Sequence, residues 1–105
     1  GSAKKITLPK ATTKVTAKAK TDKTVVLSWK KVKGATGYLV YRSTKKNGSY
    51  QRIAVLKKGT KCTYTDKKGL KKGMKYHYRI VTVKKKTYSP AKTTKAVKIK
   101  AAKKK

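Results

Sequence analysis

Apolar and polar residues alternate along short segments of the chain, and these segments recur at roughly even spacing. Alternation with a period of two is typical of a β-strand that has one face buried. Val25, Leu27 and Trp29 fall on one face of such a segment. Seven segments can be assigned in this way: residues 14–20, 25–29, 38–41, 50–56, 62–66, 74–83 and 94–100. No segment shows the helical period, so the sequence predicts an all-β chain.

Turn-forming residues separate these segments. Asn47-Gly48 lies between the third and fourth segments and is a strong hairpin signal, because both residues tolerate positive φ. Residues 21–23 form a short polar turn between the first two segments, and residues 33–37 contain two glycines that break the chain before the third. Seven short strands in about 100 residues are typical of an antiparallel β-sandwich with Greek-key connections.

The charge balance is extreme and excludes several functions. Thirty lysines and three arginines face only two acidic residues, Asp22 and Asp66, which gives a formal net charge of +31. Catalysis by paired carboxylates needs two that lie together, whereas these two are 44 positions apart in the sequence, and calcium or magnesium sites need several oxygen ligands. The single histidine, His77, and the single cysteine, Cys62, cannot form a zinc site or a disulfide within the chain. We therefore expect no enzyme activity, metal or cofactor, with His77 at the surface and Cys62 as an inward apolar filler.

Disorder is the first alternative to a folded domain, because high net charge with low hydrophobicity is typical of unfolded chains. The grouping of Val, Ile, Tyr and Thr into bounded runs argues for strands instead. A length of 105 residues suits one domain with one core. No apolar run is long enough to span a membrane, and no signal segment opens the chain. Gly1-Ser2 is read as a cloning scar.

A set of spaced motifs resembles the fibronectin type III domain, in particular its bacterial variety. The motifs are Leu27-Ser28-Trp29, Gly37-Tyr38-Leu39-Val40-Tyr41-Arg42-Ser43, Tyr64-Thr65-Asp66 and Leu70-Lys71-Lys72-Gly73-Met74-Lys75-Tyr76-His77-Tyr78-Arg79. The resemblance covers residues 10–100, with residues 1–9 as the scar and a linker and residues 101–105 as a basic tail. It implies that Trp29 is the core tryptophan of the second strand. It also implies that Tyr76 is the corner tyrosine, whose hydroxyl bonds back to the preceding loop.

The resemblance implies a seven-stranded antiparallel β-sandwich of the fibronectin type III and immunoglobulin-like class. Strands one, two and five would form one sheet, and strands three, four, six and seven the other. The residues expected to face inward are Val15, Val25, Leu27, Trp29, Tyr38, Val40, Ile53, Val55, Tyr64, Tyr76, Tyr78, Ile80, Val97 and Ile99. Full burial of such side chains is worth roughly 1.5–3 kcal/mol each, which is enough for one small core.

In this topology the loops after strands two, four and six meet at one end of the sandwich. They carry nine lysines with Tyr88 beside them: Lys30, Lys31, Lys33, Lys57, Lys58, Lys61, Lys84, Lys85 and Lys86. The opposite end is hardly less basic, so any one cluster can be read as a solvated turn. The net charge of the whole chain needs a further explanation, because the mutual repulsion of so many positive charges disfavours the compact state. We therefore expect an anionic partner.

The excess of lysine over arginine favours a diffuse, salt-sensitive contact, since lysine is a mobile point charge and arginine a planar fork. Non-specific nucleic-acid binding at low salt is expected of any such polycation and does not discriminate between functions. The resemblance implies an extracellular or cell-surface setting, where such modules accompany carbohydrate-active and adhesive domains. Acidic polysaccharide is then the expected partner of this chain, which would be a monomer within a larger multidomain protein.

Strand parity also predicts an apolar stripe on the outer face of the four-stranded sheet. Its members are Leu39, Tyr41, His77, Arg79, Val81 and Val83. Tyr41 and Tyr88 would stack on sugar rings, unless lysine stems or a neighbouring domain cover the stripe. Two alternatives to polysaccharide attachment stay open. One is a structural spacer or cell-wall-associated module with no selective ligand, and the other is an engineered, supercharged domain.

Overall fold

The computed structural model describes residues 11–12, 14–21, 24–45, 48–71, 73–94 and 96–99, and these residues form two antiparallel sheets. The strands are β1 (Thr16–Thr21), β2 (Thr24–Ser28), β3 (Gly37–Ser43), β4 (Gln51–Leu56), β5 (Thr63–Asp66), β6 (Lys75–Lys84), β7 (Thr87–Tyr88), β8 (Lys92–Thr93) and β9 (Val97–Lys98). One sheet has the order β1-β2-β5, and the other has β4-β3-β6 followed by the three short strands. The predicted all-β sandwich is confirmed. The expected scar and tail, and turn residues Asp22, Lys23 and Asn47, lie outside the described residues.

The first sheet follows from the alternation in β2. Val25 and Leu27 are fully buried, whereas Thr24, Val26 and Ser28 are partly exposed, as a period of two requires. Both neighbours pair with β2 in antiparallel register. The apolar positions of the three strands therefore lie on one face, which packs on the second sheet.

The last predicted strand is divided in the structure. Three short strands follow one another along the same edge of β6, with β7 paired at Val83 and Lys84 and β9 at Lys75 and Tyr76. Between β8 and β9 the side chain of Thr94 accepts a hydrogen bond from the Tyr78 N–H at 3.3 Å. The Thr94 N–H also donates to the Tyr78 carbonyl at 2.8 Å, so Thr94 stays bound to β6 between the two short strands. Among the described residues of the predicted segment 94–100, the regular strand is Val97–Lys98.

A β-bulge in β4 reverses the orientation of Val55. Val40 lies opposite Ala54 and Tyr41 lies opposite Arg52, which leaves Ile53 as the extra residue. The residues after a bulge exchange faces, so Val55 points outward and is 47% exposed. The prediction that Val55 faces the core is therefore wrong. A bulge depends on how two strands register, and the alternation within one strand does not contain that information.

The central core contains ten side chains, all of which were predicted to face inward. They are Val25, Leu27, Trp29, Tyr38, Val40, Tyr76, Tyr78, Ile80, Val97 and Ile99. Val15, Ile53, Tyr64 and Cys62 are partly buried and pack against this cluster. The rings of Trp29 and Tyr38 meet edge to face, with centroids 5.5 Å apart.

Two core tyrosines use their hydroxyl groups to fix loops. The Tyr76 hydroxyl accepts a hydrogen bond from the Lys71 N–H at 2.8 Å, which confirms its role as the corner tyrosine. The Tyr38 hydroxyl accepts from the Val32 N–H at 3.0 Å and donates to the Gly59 carbonyl at 2.9 Å. These bonds anchor the loop before β6 and the loops after β2 and β4 to the core.

One buried carboxylate joins the two sheets. Asp66 ends β5 and is only 2% exposed. Its Oδ2 accepts hydrogen bonds from Arg42 of β3 and from the Tyr78 hydroxyl of β6, both at 2.7 Å. The Lys68 N–H donates to Oδ1 at 3.3 Å, and Arg42 also donates to the Lys68 carbonyl at 2.7 Å. A buried charge is tolerable when it is paired and hydrogen-bonded in this way.

We expect Asp66→Asn to lower the free energy of unfolding by about 3 kcal/mol, because the change keeps the shape of the side chain but leaves Arg42 half-buried without its counter-charge. Urea unfolding measures the loss. Asp22→Asn is the matched control, since it makes the same change in net charge. Equal losses in the two variants would show that the charge of the carboxylate matters and that its contacts do not.

The pH dependence of stability should report the Tyr78 contact. Burial, and then the hydrogen bond to Asp66, raise the pKa of Tyr78. The unfolded chain loses the tyrosine proton near pH 10, so this stabilisation is complete below about pH 10 and is lost as the pH rises above it. We expect the stability difference between the unaltered protein and Tyr78→Phe to shrink over that range.

Urea unfolding of both proteins between about pH 8 and pH 11 measures this difference. All other titratable groups are common to both proteins, so their contributions cancel in the difference. A difference that stays constant across the interval would contradict the assignment.

Candidate functional site

Three loops meet at one end of the sandwich, as the sequence predicted. The loop between β2 and β3 lies in the middle, where Thr36 donates its N–H to the Val83 carbonyl at 2.7 Å. The Thr36 hydroxyl accepts a hydrogen bond from the Lys85 N–H at 2.9 Å, which fixes the turn between β6 and β7. On the other side, Gly59 packs so closely on the Ala35 carbonyl that a Cβ there would overlap it. These contacts hold the three loops together.

The structure brings all nine predicted lysines to this end, and we call them the lysine surface. Eight are exposed, and Lys84, at the end of β6, is half-buried. The members are Lys30, Lys31 and Lys33 after β2, Lys57, Lys58 and Lys61 after β4, and Lys84, Lys85 and Lys86 at the β6–β7 turn. The turn itself needs a residue with positive φ, and Lys85 supplies it at 55°.

The lysine surface lacks a counter-charge within the described part of the chain. The one carboxylate side chain described is Asp66, which is buried at the other end of β5 and bound to Arg42. The ammonium groups therefore repel one another across a solvent-exposed surface. A partner with repeated negative charges would relieve this repulsion.

Tyr88 extends the lysine surface onto the outer face of the larger sheet. It is 54% exposed and lies opposite Val83 in the β6–β7 pair. It lines a groove of about 280 Å³, which we call the Tyr88 groove. The residues around this groove are Thr36, Gly37, Leu39, Arg52, Val55, Leu56, Lys57, Val83 and Tyr88.

A second depression continues from the Tyr88 groove towards the lysines that follow β4. It has a volume of about 400 Å³ and shares Val55, Leu56 and Lys57 with the groove. Its remaining lining residues are Lys58 and Lys61. An extended ligand could therefore pass from Tyr88 over Val55 to three members of the lysine surface.

Tyr41 does not lie with Tyr88. It is half-buried in the middle of β3, opposite Arg52 on one side and Arg79 on the other. The Arg79 guanidinium lies over the Tyr50 ring at 3.9 Å from its centroid, and its Nε donates to the Thr93 hydroxyl at 3.2 Å. This packing covers the middle of the predicted stripe. Of the six residues of this stripe, Leu39 and Val83 line the Tyr88 groove.

Sequence reasoning missed five residues that line the groove, and Arg52 and Val55 are the two of them with an exposed charged or large apolar side chain. Arg52 carried a signal, because arginine is rare in a chain with thirty lysines and each arginine replaces the commoner choice. Val55 carried none, since its outward orientation results from the bulge at Ile53. The groove therefore arises from the way the strands pair, and the pattern of residues within one strand does not predict it.

Two residues with chemistry of their own are not part of the lysine surface, although Cys62 follows Lys61 in the chain. His77 is half-buried in β6 opposite Ser43, and Cys62 is a free thiol packed against the core. Within the described ranges, no group of three or more His, Cys, Asp or Glu side chains is arranged to hold a metal ion. The same ranges contain no helix with the length and hydropathy of a membrane span.

Comparison with known proteins identifies relatives of this chain. Two bacterial amylopullulanases match part of it. The one from Thermoanaerobacterium saccharolyticum is 40% identical over 78 residues, which are 74% of this chain and 6% of that protein. The one from Thermoanaerobacter thermohydrosulfuricus is 44% identical over 59 residues, which are 56% of this chain and 4% of that protein. The chain therefore spans only a small part of the curated relatives that it matches.

Solved structures agree with the fold. An Fn3-like protein from Clostridium thermocellum superposes with a TM-score of 0.76, at 26% identity over 93% of this chain and 100% of that one. The fn3 domain of human collagen alpha-1(XX) superposes with a TM-score of 0.78 at 13% identity, over 99% of this chain and 98% of that one, and shows the fold alone. The family model for the fibronectin type III domain matches residues 9–97. The resemblance seen in the sequence is thus confirmed, and the chain belongs to the fibronectin type III family.

Proposed function

We propose that this domain is a non-catalytic accessory module, which attaches a larger secreted or cell-surface protein to acidic polysaccharide through the lysine surface. One observation carries the proposal. Three loops, fixed to one another by hydrogen bonds, bring nine lysines to one end, and no described carboxylate neutralises them. The proposal includes Tyr88 beside these lysines as a stacking residue, and it leaves out Tyr41 because Tyr41 does not line the same groove.

The relatives support the setting of the proposal. They are named amylopullulanases, and this chain corresponds to 6% and 4% of their lengths, as a small module of a larger protein would. Their name points to polysaccharide as the class of polymer and says nothing of its charge. The preference for acidic polymers is our inference from the net charge of +31.

The physical basis is multivalency. A single exposed ion pair contributes about 0.2–1 kcal/mol, because solvent screens it and the side chains lose freedom. A polymer that presents anions in series can engage several lysines at once, and after the first contact the rest are effectively intramolecular. Lysine suits this role, since its ammonium is a mobile point charge that can follow an irregular chain. Such binding weakens as salt shortens the Debye length.

A spacer without a selective ligand is the second candidate. The observation that favours it is that exposed lysines occur well away from the loops, for example Lys18 and Lys20 on β1 and Lys67 and Lys68 after β5. Charge spread in this way keeps a domain soluble and opposes self-association, so we propose that the domain is monomeric. Non-specific binding to nucleic acid at low salt follows from the same charge.

The two candidates predict different effects of removing charge. We expect replacement of the nine lysines of the lysine surface by glutamine to weaken retention on polygalacturonate at about 0.15 M salt by more than tenfold, because the polymer loses its cluster of contacts. Affinity electrophoresis measures the retention. The matched control replaces nine exposed lysines elsewhere: Lys18, Lys20, Lys45, Lys67, Lys68, Lys71, Lys75, Lys92 and Lys98.

Both variants lose the same net charge, so only the position of the charge differs. A much smaller loss in the control supports the lysine surface. Equal losses would contradict a localised site and favour the spacer. For the unaltered protein, retention on polygalacturonate should disappear at about 1 M salt, where the Debye length falls to about 3 Å.

A further inference from the structure

The Tyr88 groove concentrates the exposed apolar surface of a very polar protein. Among the described residues three large hydrophobic side chains are exposed: Val55, Met74 and Tyr88. Two of them, Val55 and Tyr88, line the same groove, together with Leu39 and Val83. Contiguous apolar surface rimmed by polar groups is typical of a binding site.

The groove also contains Arg52, the one arginine whose side chain makes no hydrogen bond, ion pair or ring contact within the described part of the fold. Arg42 is bound to Asp66, and Arg79 is stacked on Tyr50 and bound to Thr93. Arg52 is exposed on the groove wall beside Lys57. Its planar guanidinium can donate two parallel hydrogen bonds to one carboxylate, which a lysine ammonium cannot.

The shape of the groove limits what it can hold. A volume of about 280 Å³ lies at the small end of ligand pockets, which suits one ring better than an extended molecule. The adjoining depression leads to Lys58 and Lys61, where the next anions of a polymer would lie. A second copy of this chain would bring another +31 charges to the same surface and is repelled.

We propose that the Tyr88 groove is a subsite for one uronate residue of the polysaccharide, an inference that rests on the function proposed above. The C–H face of the pyranose ring packs on Tyr88 and Val55, and its carboxylate pairs with Arg52. The combination selects for a sugar ring and an anion in the same residue. A neutral sugar lacks the partner for Arg52, and a polyol phosphate lacks the ring. A sulfated sugar places its anion on an exocyclic ester, farther from the ring that Tyr88 contacts.

Two single substitutions test the subsite. Arg52→Lys keeps the charge and removes the planar fork, and Tyr88→Leu keeps an apolar side chain and removes the ring. Met74→Ala is the control, because Met74 is also an exposed hydrophobic side chain but does not line the groove. Dissociation constants at about 0.15 M salt are measured for polygalacturonate, dextran sulfate and polyphosphate.

We expect Arg52→Lys and Tyr88→Leu each to weaken binding of polygalacturonate about fivefold and to leave the other two polymers within about twofold. Met74→Ala should leave the binding of all three polymers unchanged. A trigalacturonate oligomer should shift the methyl resonances of Val55 and Val83 in the unaltered protein and not in Arg52→Lys. Arg52 is exposed, so Arg52→Lys is expected to fold normally. This variant therefore tests the subsite even if Tyr88→Leu folds poorly.

The remaining outcomes separate the two proposals. Losses of equal size on all three polymers, or no loss on polygalacturonate, would overturn the subsite and leave the lysine surface as the site of attachment. If the unaltered protein binds none of the three polymers at this salt concentration, the proposed function and the subsite are both overturned.

Discussion

The contact of Asp66 with Arg42 and Tyr78 is the interaction on which the rest of this structure depends. In a chain of +31 the Coulomb term opposes folding throughout, and the described carboxylate is used inside the protein, where its field is least screened. It ties β5 to β3 and β6, so the two sheets are held by a polar junction as well as by the apolar core between them. Since β4 continues into β5 through Lys57, Lys58 and Lys61, fixing the far end of β5 also fixes the strand into which this loop leads.

The same arrangement explains where the positive charge lies. Lysines occupy loops and outward strand positions, where the ammonium stays hydrated, and the interior contains neutral tyrosines whose hydroxyl groups bind backbone atoms. The core tyrosines Tyr38 and Tyr76 thus immobilise the loops, although the loops themselves are rich in lysine. A charged surface that is held in place can present its cations in a constant arrangement, which a flexible basic tail cannot.

Much of the fold could be predicted because the relevant signals are local. The alternation within β2 and β6 predicted which of their side chains face inward. Trp29 and Tyr76 were identified from the surrounding motifs, which resemble those of the fibronectin type III domain. The errors arise where two strands determine the outcome together. Val55 turns outward because β4 has one residue more than β3 at Ile53, and three short strands pair with β6 along the edge where one strand was predicted. The meeting of the lysine loops follows from topology and was predicted, whereas the Tyr88 groove needs the bulge and was not.

The bulge in β4 has a consequence for colloidal behaviour. β4 is an edge strand within the described part of the chain, where β3 is its one pairing partner. A regular exposed edge is a template for strand addition by another chain. In dilute solution both the charge repulsion and the bulge oppose such strand addition. If the domain binds a polyanion as proposed, the polymer supplies the counter-charge and the repulsion between neighbouring domains is lost. The interrupted ladder at Ile53 does not depend on charge, so it continues to disfavour edge-to-edge association when electrostatic repulsion has been neutralised.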